Sequence, residues 1–486
     1  MAKTAALPDH KTRIVATIGP ASSSPEVIAD LLRAGMDVAR LNFSHGDFDS
    51  HARVIADLRA AAGQTGLRLA IMADLPGPKM RIGTIAGEPV ELRRGDEFTL
   101  TTRAVDGDAS GASVTFERLP QVARSGAALF LNDGMIQLEV ERVSGQDVAC
   151  RVVVGGELRS RKGLNLPGID LGMSAFTERD AECLRFALAQ GVDAISQSFV
   201  GTAADLEAVR AAAAEAGHHP FVIAKIERAI ALDHLDEIVR AADGVMVARG
   251  DLGVEIPIER IPIVQKHLIN TANAFAKPVI TATQMLESMV EHRRPTRAEA
   301  TDVANAILDG TDAVMLSAES AMGAWPVEAV AMLARIAAEA EPHRSRASQR
   351  EALQTYSHDM KLSNVELVAV AVTRTFAFAE PAAVIVPTIS GATARSIALF
   401  RLPVWTIAAS PHEATCRGLQ FSYGVHAVHV PETPDDWSTF ARTFLAEHGI
   451  TGRIALLIEG PSARNPDANN RMEIIDLTRG TMGGRS

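Results

Sequence analysis

Short apolar runs recur along the first two thirds of the chain, at Arg13–Gly19, Asp37–Phe43, Leu69–Leu75, Ala194–Phe199, Phe221–Ile226, Gly244–Ala248, Pro278–Thr283 and Ala313–Ser317. Between most of them lies an amphipathic stretch at helical period, such as Pro25–Ala34 or Ala203–Ala216. Runs this short, rich in Val, Ile, Leu and Ala, suit strands covered on both faces of a parallel sheet. Eight of them alternating with helices predict a (β/α)8 TIM barrel of about 250 residues. Gly35-Met-Asp37, Gly191-Val-Asp193 and Gly310-Thr-Asp312 repeat one signal, a glycine closing a helix just before the next strand.

The third and fourth runs are too far apart for one loop. The chain between Leu75 and Ser174 is rich in Val, Thr and Gly and alternates in character, as in Glu97-Phe-Thr-Leu-Thr101 and Val148-Ala-Cys-Arg-Val-Val-Val154. It reads as a small β-barrel domain inserted at the carboxyl end of a strand, where it would lie over the barrel mouth as a lid. After the helical stretch Pro326–Glu341 and a polar linker, strands near Ala383–Val386, Val404–Ala408, Val425–Val430, Arg453–Ile458 and Met472–Leu477 alternate with helices, predicting a doubly wound α/β domain. The expected division is a disordered 1–11, a barrel over 12–75 and 174–342, a lid over 76–173, a linker over 343–354 and a C-terminal domain over 355–486. The Gly-rich end from Gly480 is expected to be disordered as well.

Composition narrows the function. A net charge of −11 argues against a general nucleic-acid or anionic-membrane binder. Local Arg, Lys and helix N-termini still allow phosphate ligands. Cys150, Cys183 and Cys416 form no disulfide framework and no zinc pattern, and read as core thiols of a cytoplasmic protein. The polar start Met1–Thr12 and the lack of an apolar run near twenty residues predict a soluble chain without a signal peptide.

The chemistry gathers where apolar runs end in charge. Ala224-Lys-Ile-Glu227 and Gly244-Val-Met-Val-Ala-Arg-Gly-Asp251 both finish so. Carboxyl ends of barrel strands are where active sites form. Glu227 and Asp251 offer an oxygen pair suited to Mg²⁺ (or Mn²⁺), and Lys225 sets a cation beside it. Gly250 lets a ligand approach the backbone closely. Arg40, Asn42 and Ser44 share one strand face, and a polar face inside a barrel is costly unless it binds something. Asp74 precedes a rigid Pro76-Gly-Pro-Lys-Met-Arg81 exit. Thr281 and Thr283 place hydroxyls at the end of the seventh strand, with helix capping from Gln284 onward as the rival role for Thr283. Ser317 and Glu319 close the eighth strand, where a proton donor could sit. In the last domain, Thr388-Ile-Ser-Gly-Ala-Thr-Ala-Arg395 joins a strand to a helix, so Ser390, Gly391, Ala392, Thr393 and Arg395 form a candidate anion nest, or Ser390 a plain cap. Neither a P-loop nor a protein-kinase Gly-rich loop is present.

Taken in order, Lys11-Thr-Arg-Ile-Val-Ala-Thr-Ile-Gly-Pro-Ala-Ser22, Arg40-Leu-Asn-Phe-Ser-His-Gly46, Ala248-Arg-Gly-Asp-Leu-Gly253, Thr283-Gln-Met-Leu-Glu-Ser288 and Arg294-Pro-Thr-Arg-Ala-Glu299 resemble the signatures of the pyruvate kinase family. The resemblance is strong over about Lys11–Glu341 and loose beyond. It implies transfer of the phosphoryl group of phosphoenolpyruvate to ADP, giving pyruvate and ATP. It further implies Glu227 and Asp251 as metal ligands, Lys225 and Arg40 on the phosphoryl group, and the Gly250–Asp251 backbone with Thr283 on the substrate carboxylate. Asn42, Ser44, His45, Arg81 and Lys162 match nucleotide-side positions, and Thr283, Ser317 and Glu319 match the proton-delivery chain. A homotetramer under allosteric control by a phosphorylated effector is implied too.

Two departures matter. Pro461–Asn470 stands where many members carry a Gly/Thr-rich effector loop, which argues against fructose 1,6-bisphosphate as the effector. The second concerns K⁺, held in the common form by residues matching Asn42, Ser44 and Asp74 and a carbonyl at position 75. There Lys79 replaces a nearby Glu, so the chain resembles the potassium-independent form. Two unit charges ~4 Å apart repel by ~4 kcal/mol at a surface-like dielectric, so Lys79 and K⁺ should exclude each other. Rival readings are a Mg²⁺-dependent pyruvate-enolate aldolase or lyase, which needs no lid, and a non-catalytic phosphometabolite sensor.

Overall fold

The computed structural model describes residues 7–169, 171–344, 362–460 and 469–478. Arg13–Thr17, Val38–Asn42, Ala70–Asp74, Ala194–Gln197, Phe221–Ile226, Gly244–Ala248, Val279–Ala282 and Ala313–Leu316 form one closed parallel barrel, each within two residues of its expected run. Alternation sends Val15, Val38, Met72, Ile223, Met246 and Met315 inward and Ile14, Leu41, Ile71, Val222, Val245 and Leu316 outward against the helices. Burying each large apolar side chain contributes ~1.5–3 kcal/mol, so both layers hold the ring shut.

The Gly-x-Asp repeat has a second half that the helix-closing role does not explain. Gly35, Gly191 and Gly310 adopt φ of 115°, 69° and 101°, the left-handed turn a helix exit requires. The aspartate two residues on then accepts an N–H from the first two residues of a neighbouring strand: Ile14 to Asp37 at 2.9 Å, Ile71 to Asp193 at 2.7 Å and Val279 to Asp312 at 3.1 Å. Asp243 does the same for Val222 at 2.9 Å. Four carboxylates thus tie the floor of the barrel together.

The insertion packs a six-stranded and a two-stranded sheet around a core of Phe98, Leu100, Leu129, Leu138 and Val152. The segment Met80–Gly83 bridges both edges of the six-stranded sheet, to Gly163 on one side and Val114 on the other, and so closes the small barrel. The C-terminal sheet runs in the order Val425–His429, Thr406–Ser410, Val384–Pro387, Ile454–Glu459, Arg471–Asp476, with four parallel strands and an antiparallel edge. Apolar clusters lie on both its faces, as a doubly wound domain requires.

This domain closes the barrel from below. Phe421, fully buried, packs with the lowest inward-facing layer and stacks on Phe221 at 5.2 Å. Arg401 forks onto Asp312 at 2.6 and 2.7 Å, Arg417 lies 3.3 Å from Asp193, and Arg13 reaches the carbonyls of Ser422 and Val425.

Residues 7–11, expected to be disordered, are placed. His10 is buried, and the amides of Lys11 and Thr12 donate to the Glu341 carboxylate at 2.9 and 2.7 Å. That acceptor lies some 330 positions away, so local composition carries no sign of it. The three cysteines are buried and free. No described helix is long and apolar enough to cross a membrane. The expected linker at 343–354 and the segment Pro461–Asn470 lie mostly outside the described residues.

Candidate active site

Strand alternation carries Arg40, Asp74, Lys225 and Glu227 to one buried cluster at the carboxyl end of the barrel. Arg40 donates twice to Asp74 Oδ2, at 2.8 Å from Nε and 2.5 Å from Nη2, and once to Thr17 Oγ1 at 3.0 Å. Lys225 Nζ lies 2.8 Å from Glu227 Oε1 and donates to Ser198 Oγ at 2.7 Å. Asp74 Oδ1 is 3.2 Å from the same ammonium, a charge contact outside hydrogen-bond alignment. Burial opposes ionisation of Asp74, but the charges of Lys225 and Arg40 outweigh it and hold the carboxyl below its usual range. Burial likewise works against the Lys225 ammonium, and Asp74 and Glu227 overcome it, so that lysine stays charged. Two cations and two carboxylates therefore sit in a pocket little reached by water.

Asp251 comes from the helix Arg249–Glu255, which begins as soon as the sixth strand ends. Burial first, and then repulsion from Glu227, push its carboxyl up to about 6, against the pull of Lys225 and Lys79. Gly250 N–H donates to Thr283 Oγ1 at 2.8 Å, which joins the exits of strands six and seven. Thr283 caps no helix, because it and Gln284 have φ of 70° and 52° and a short 3₁₀ turn starts only at Glu287. The positive φ also breaks strand alternation. Thr281, expected beside Thr283, is instead fully buried and donates to Thr311 Oγ1 at 3.0 Å.

Asn42 Oδ1 accepts from the Ser44 amide at 3.1 Å, and His45 follows on the rim. Partial burial and then the charges of Lys79, Arg81 and Arg40 lower the His45 pKa. Lys79 itself is lowered by partial burial and by Lys225, with Asp74 and Asp251 acting oppositely, which sets its ammonium among these same groups. Arg81 bridges to Gly163, so Lys162 runs alongside it at the base of the lid.

Other residues act differently from expectation. Glu319 is fully buried, and its two oxygens accept the amides of Leu286 at 3.0 Å and Ser317 at 2.7 Å. It braces the exits of strands seven and eight instead of facing a ligand. At the far end of the molecule, Gly391 N–H donates to Thr388 Oγ1 at 2.9 Å and Ala392 N–H to Ser390 Oγ at 3.4 Å, while Arg395 folds back to donate to the Ser390 carbonyl at 2.9 Å. The loop Ser390–Thr393 therefore keeps Arg395 beneath it.

Sequence reasoning missed Thr17, Ser198, Arg249 and Asp133. Thr17 and Ser198 are ordinary strand-end residues whose partners come from other strands. Arg249 turns away from the pocket to bond the carbonyls of Ala282 and Thr283 and the Asp302 carboxylate, at 3.2, 2.6 and 2.8 Å. Asp133, on a lid turn at φ 54°, adds negative charge near Asp251. A turn signal was legible at Asn132-Asp133-Gly134, but nothing local indicated that it reaches the barrel.

Comparison with known proteins agrees with this geometry. Residues 9–330 match the pyruvate kinase barrel domain and residues 366–475 the pyruvate kinase alpha/beta domain. The chain is 48% identical to a pyruvate kinase of Thermococcus litoralis, over 86% of this chain and 89% of that one. It is 41% identical to a pyruvate kinase of Geobacillus stearothermophilus, over 96% and 80%. A crystal structure of a pyruvate kinase from Cryptosporidium parvum superposes with a TM-score of 0.91 at 34% identity, covering 96% of each chain. An enzyme with this barrel, this lid and this cluster of strand-end residues belongs to the pyruvate kinase family.

Proposed function

We propose that the chain transfers the phosphoryl group of phosphoenolpyruvate to ADP, giving pyruvate and ATP, with Glu227 and Asp251 holding the Mg²⁺ (or Mn²⁺) the reaction needs. The observation that carries this is the buried, charged Lys225, held by Ser198, Glu227 and Asp74 beside the Arg40 fork. Among the described residues no three carboxylate, imidazole or thiolate groups converge on one point, so the protein offers a pair of carboxylates and leaves room for substrate and water oxygens. Burial and then repulsion from Glu227 lift the Asp251 pKa, and a divalent cation between the two carboxylates would relieve that repulsion, so the pair fits the ion. When bound, the cation supplies Lewis-acid polarisation of the reacting oxygens.

The remaining work falls to the chain. Arg40, oriented by Asp74 and Thr17, clamps the phosphoryl oxygens. Lys225 neutralises charge that grows as the phosphoryl group leaves the enolate oxygen, a preorganised electrostatic role. The Gly250 and Asp251 amides with Thr283 fix the substrate carboxylate, and Asn42, Ser44, His45, Arg81 and Lys162 receive the nucleotide. Thr283 and Ser317, aligned by Glu319, lie on the route of the proton to the enolate carbon. Lys79 supplies the positive charge that K⁺ brings in the common form, so no monovalent cation is required. The enzyme works in the cytoplasm as a homotetramer, and a phosphorylated effector at Ser390–Thr393 and Arg395 tunes it. The lid and its Lys162 favour this reading over an aldolase or lyase, which needs neither.

A lactate-dehydrogenase-coupled assay with ADP tests it. Turnover should vanish in excess EDTA, and Lys225→Met should lower kcat by about 10²–10³-fold with little change in KM. Undiminished kcat in that variant would remove Lys225 from the mechanism.

A further inference from the structure

The exit of the second barrel strand, Asn42-Phe-Ser-His-Gly46, closes on itself at one end only. Asn42 accepts twice there, its Oδ1 from the Ser44 amide and its carbonyl from the His45 amide, both at 3.1 Å. The other end, His45-Gly46, is exposed, and Gly46 turns at φ 76°, in the left-handed region. An exposed loop end that turns on a glycine samples several conformations unless something outside it holds it.

That hold comes from His51. Asp47 caps the following helix, Phe48–Thr65, in a capping box with Ser50, so His51 falls in the first turn, where side chains lean back toward the helix start. Its Nε2 lies 2.9 Å from the His45 carbonyl oxygen. A carbonyl only accepts, so the ring carries its proton on Nε2. Burial lowers the His51 pKa, against the pull of the His45 carbonyl and of Asp47, and the ring is neutral at physiological pH. Phe43, 5% exposed, meets the His51 ring edge-on at 4.4 Å and fixes its tilt. Phe43 in turn packs against Phe48 and Phe186, which stack on each other at 4.4 Å. The loop lies close under the ring: a Cβ on Gly46 would stand 3.2 Å from Ser50 Oγ and 3.4 Å from His51 Nε2.

A trans peptide is planar, with its C=O and N–H on opposite sides. Holding the His45 carbonyl toward His51 therefore turns the Gly46 N–H away from it, where it is exposed and, among the described residues, without a hydrogen-bond partner. We propose that His51 is a positioning residue for the nucleotide. It locks the His45–Gly46 peptide so that the His45 side chain and the Gly46 amide are presented in one orientation, the amide as a donor to a phosphate oxygen of the nucleotide. This rests on the nucleotide-side assignment of Asn42, Ser44 and His45. A loop fixed beforehand removes the entropy loss of ordering it on binding. None of these contacts involves Lys225, Glu227 or Asp251, so the effect falls on ADP and not on phosphoenolpyruvate or the chemical step.

The test uses the full enzyme with Mg²⁺ and measures KM for ADP and for phosphoenolpyruvate separately, together with kcat and Tm. His51→Ala should raise KM for ADP about 5-fold, the effect of losing one hydrogen bond, with kcat and KM for phosphoenolpyruvate unchanged. His51→Gln should restore most of the ADP affinity, because its amide nitrogen reaches the place of Nε2. His51→Asn, one methylene shorter, should not. Where His51→Ala fails to fold, the contrast between Gln and Asn decides by itself. Equal KM for ADP in the Gln and Asn proteins would show that the ring only packs against Phe43, and overturns the proposal. A parallel loss for both substrates marks general loosening and overturns it too. Ser44→Ala and His45→Ala tell the two assignments apart. If ADP affinity is unchanged in both, the nucleotide-side assignment falls, and this one with it. If it drops in them and not in His51→Ala, only the role of His51 falls.

Discussion

Lys79 is the single side chain on which most turns. Its ammonium feels the charges of Lys225, Asp74 and Asp251, and in the proposed function it takes the place of a mobile cation. Full activity is expected in a buffer whose monovalent cation is an organic ammonium. Lys79→Glu should lower kcat and regain part of it on adding K⁺, measured at fixed ionic strength. Strong activation of the unaltered enzyme by K⁺ would overturn this role. The pocket residues were legible because a buried strand that ends in Lys225-Ile226-Glu227 has few other uses. Glu319 misled for the same reason. A fully buried carboxylate near a reaction centre looks chemical, yet its two oxygens are taken by backbone amides from two strand exits.

At the scale of elements, the strands were easy to read and their exits were not. An apolar run announces a strand buried on both faces, whereas the turn after it depends on what another strand presents. Thr283 leaves β geometry at φ 70° because its hydroxyl and carbonyl serve Gly250 and Arg249 of the preceding strand's exit. Arg249 is the clamp in this arrangement. Arg249→Met should lower kcat/KM by about 10²-fold through misplacement of the Gly250 amide. Arg249→Lys should rescue little, since one ammonium cannot span both carbonyls and Asp302. Steady-state kinetics matching the unaltered enzyme would show that the exits hold without it. The Gly-x-Asp repeat was visible too, but the aspartate's partner is an amide within the first two residues of an adjoining strand, a relation that only the closed ring creates.

Across the whole molecule, the barrel rests on the C-terminal domain, and acid should weaken that domain from within, where His426 packs on Trp405, Phe444 and His448. His426 keeps part of its surface in solvent, yet burial, then Arg13, His448 and Arg68, lower its pKa from 6.5 to about 3. In the unfolded chain it takes up a proton below 6.5, whereas the folded domain resists until about 3. The contribution of neutral His426 is therefore complete above 6.5 and lost progressively as pH falls toward 3. Stability measured across that range should fall more steeply with acid in the unaltered protein than in His426→Phe, and equal slopes would contradict the assignment. Phe421→Ala empties the base of the barrel and should cost about 3–5 kcal/mol, seen as a lower Tm with the lid unaffected.

The position of Phe421 also limits how this protein can be cut. A barrel usually finishes its own underside, but here a ring from a separate domain is the stopper. A fragment ending near residue 344 would keep all the strand-end chemistry and expose Phe221 and the lowest inward layer to water. Such a hole is sticky, so the shortened chain should clump during expression unless a bulkier residue is grafted in from within. Any smaller descendant of this enzyme would have to plug its floor before it could shed the domain beneath.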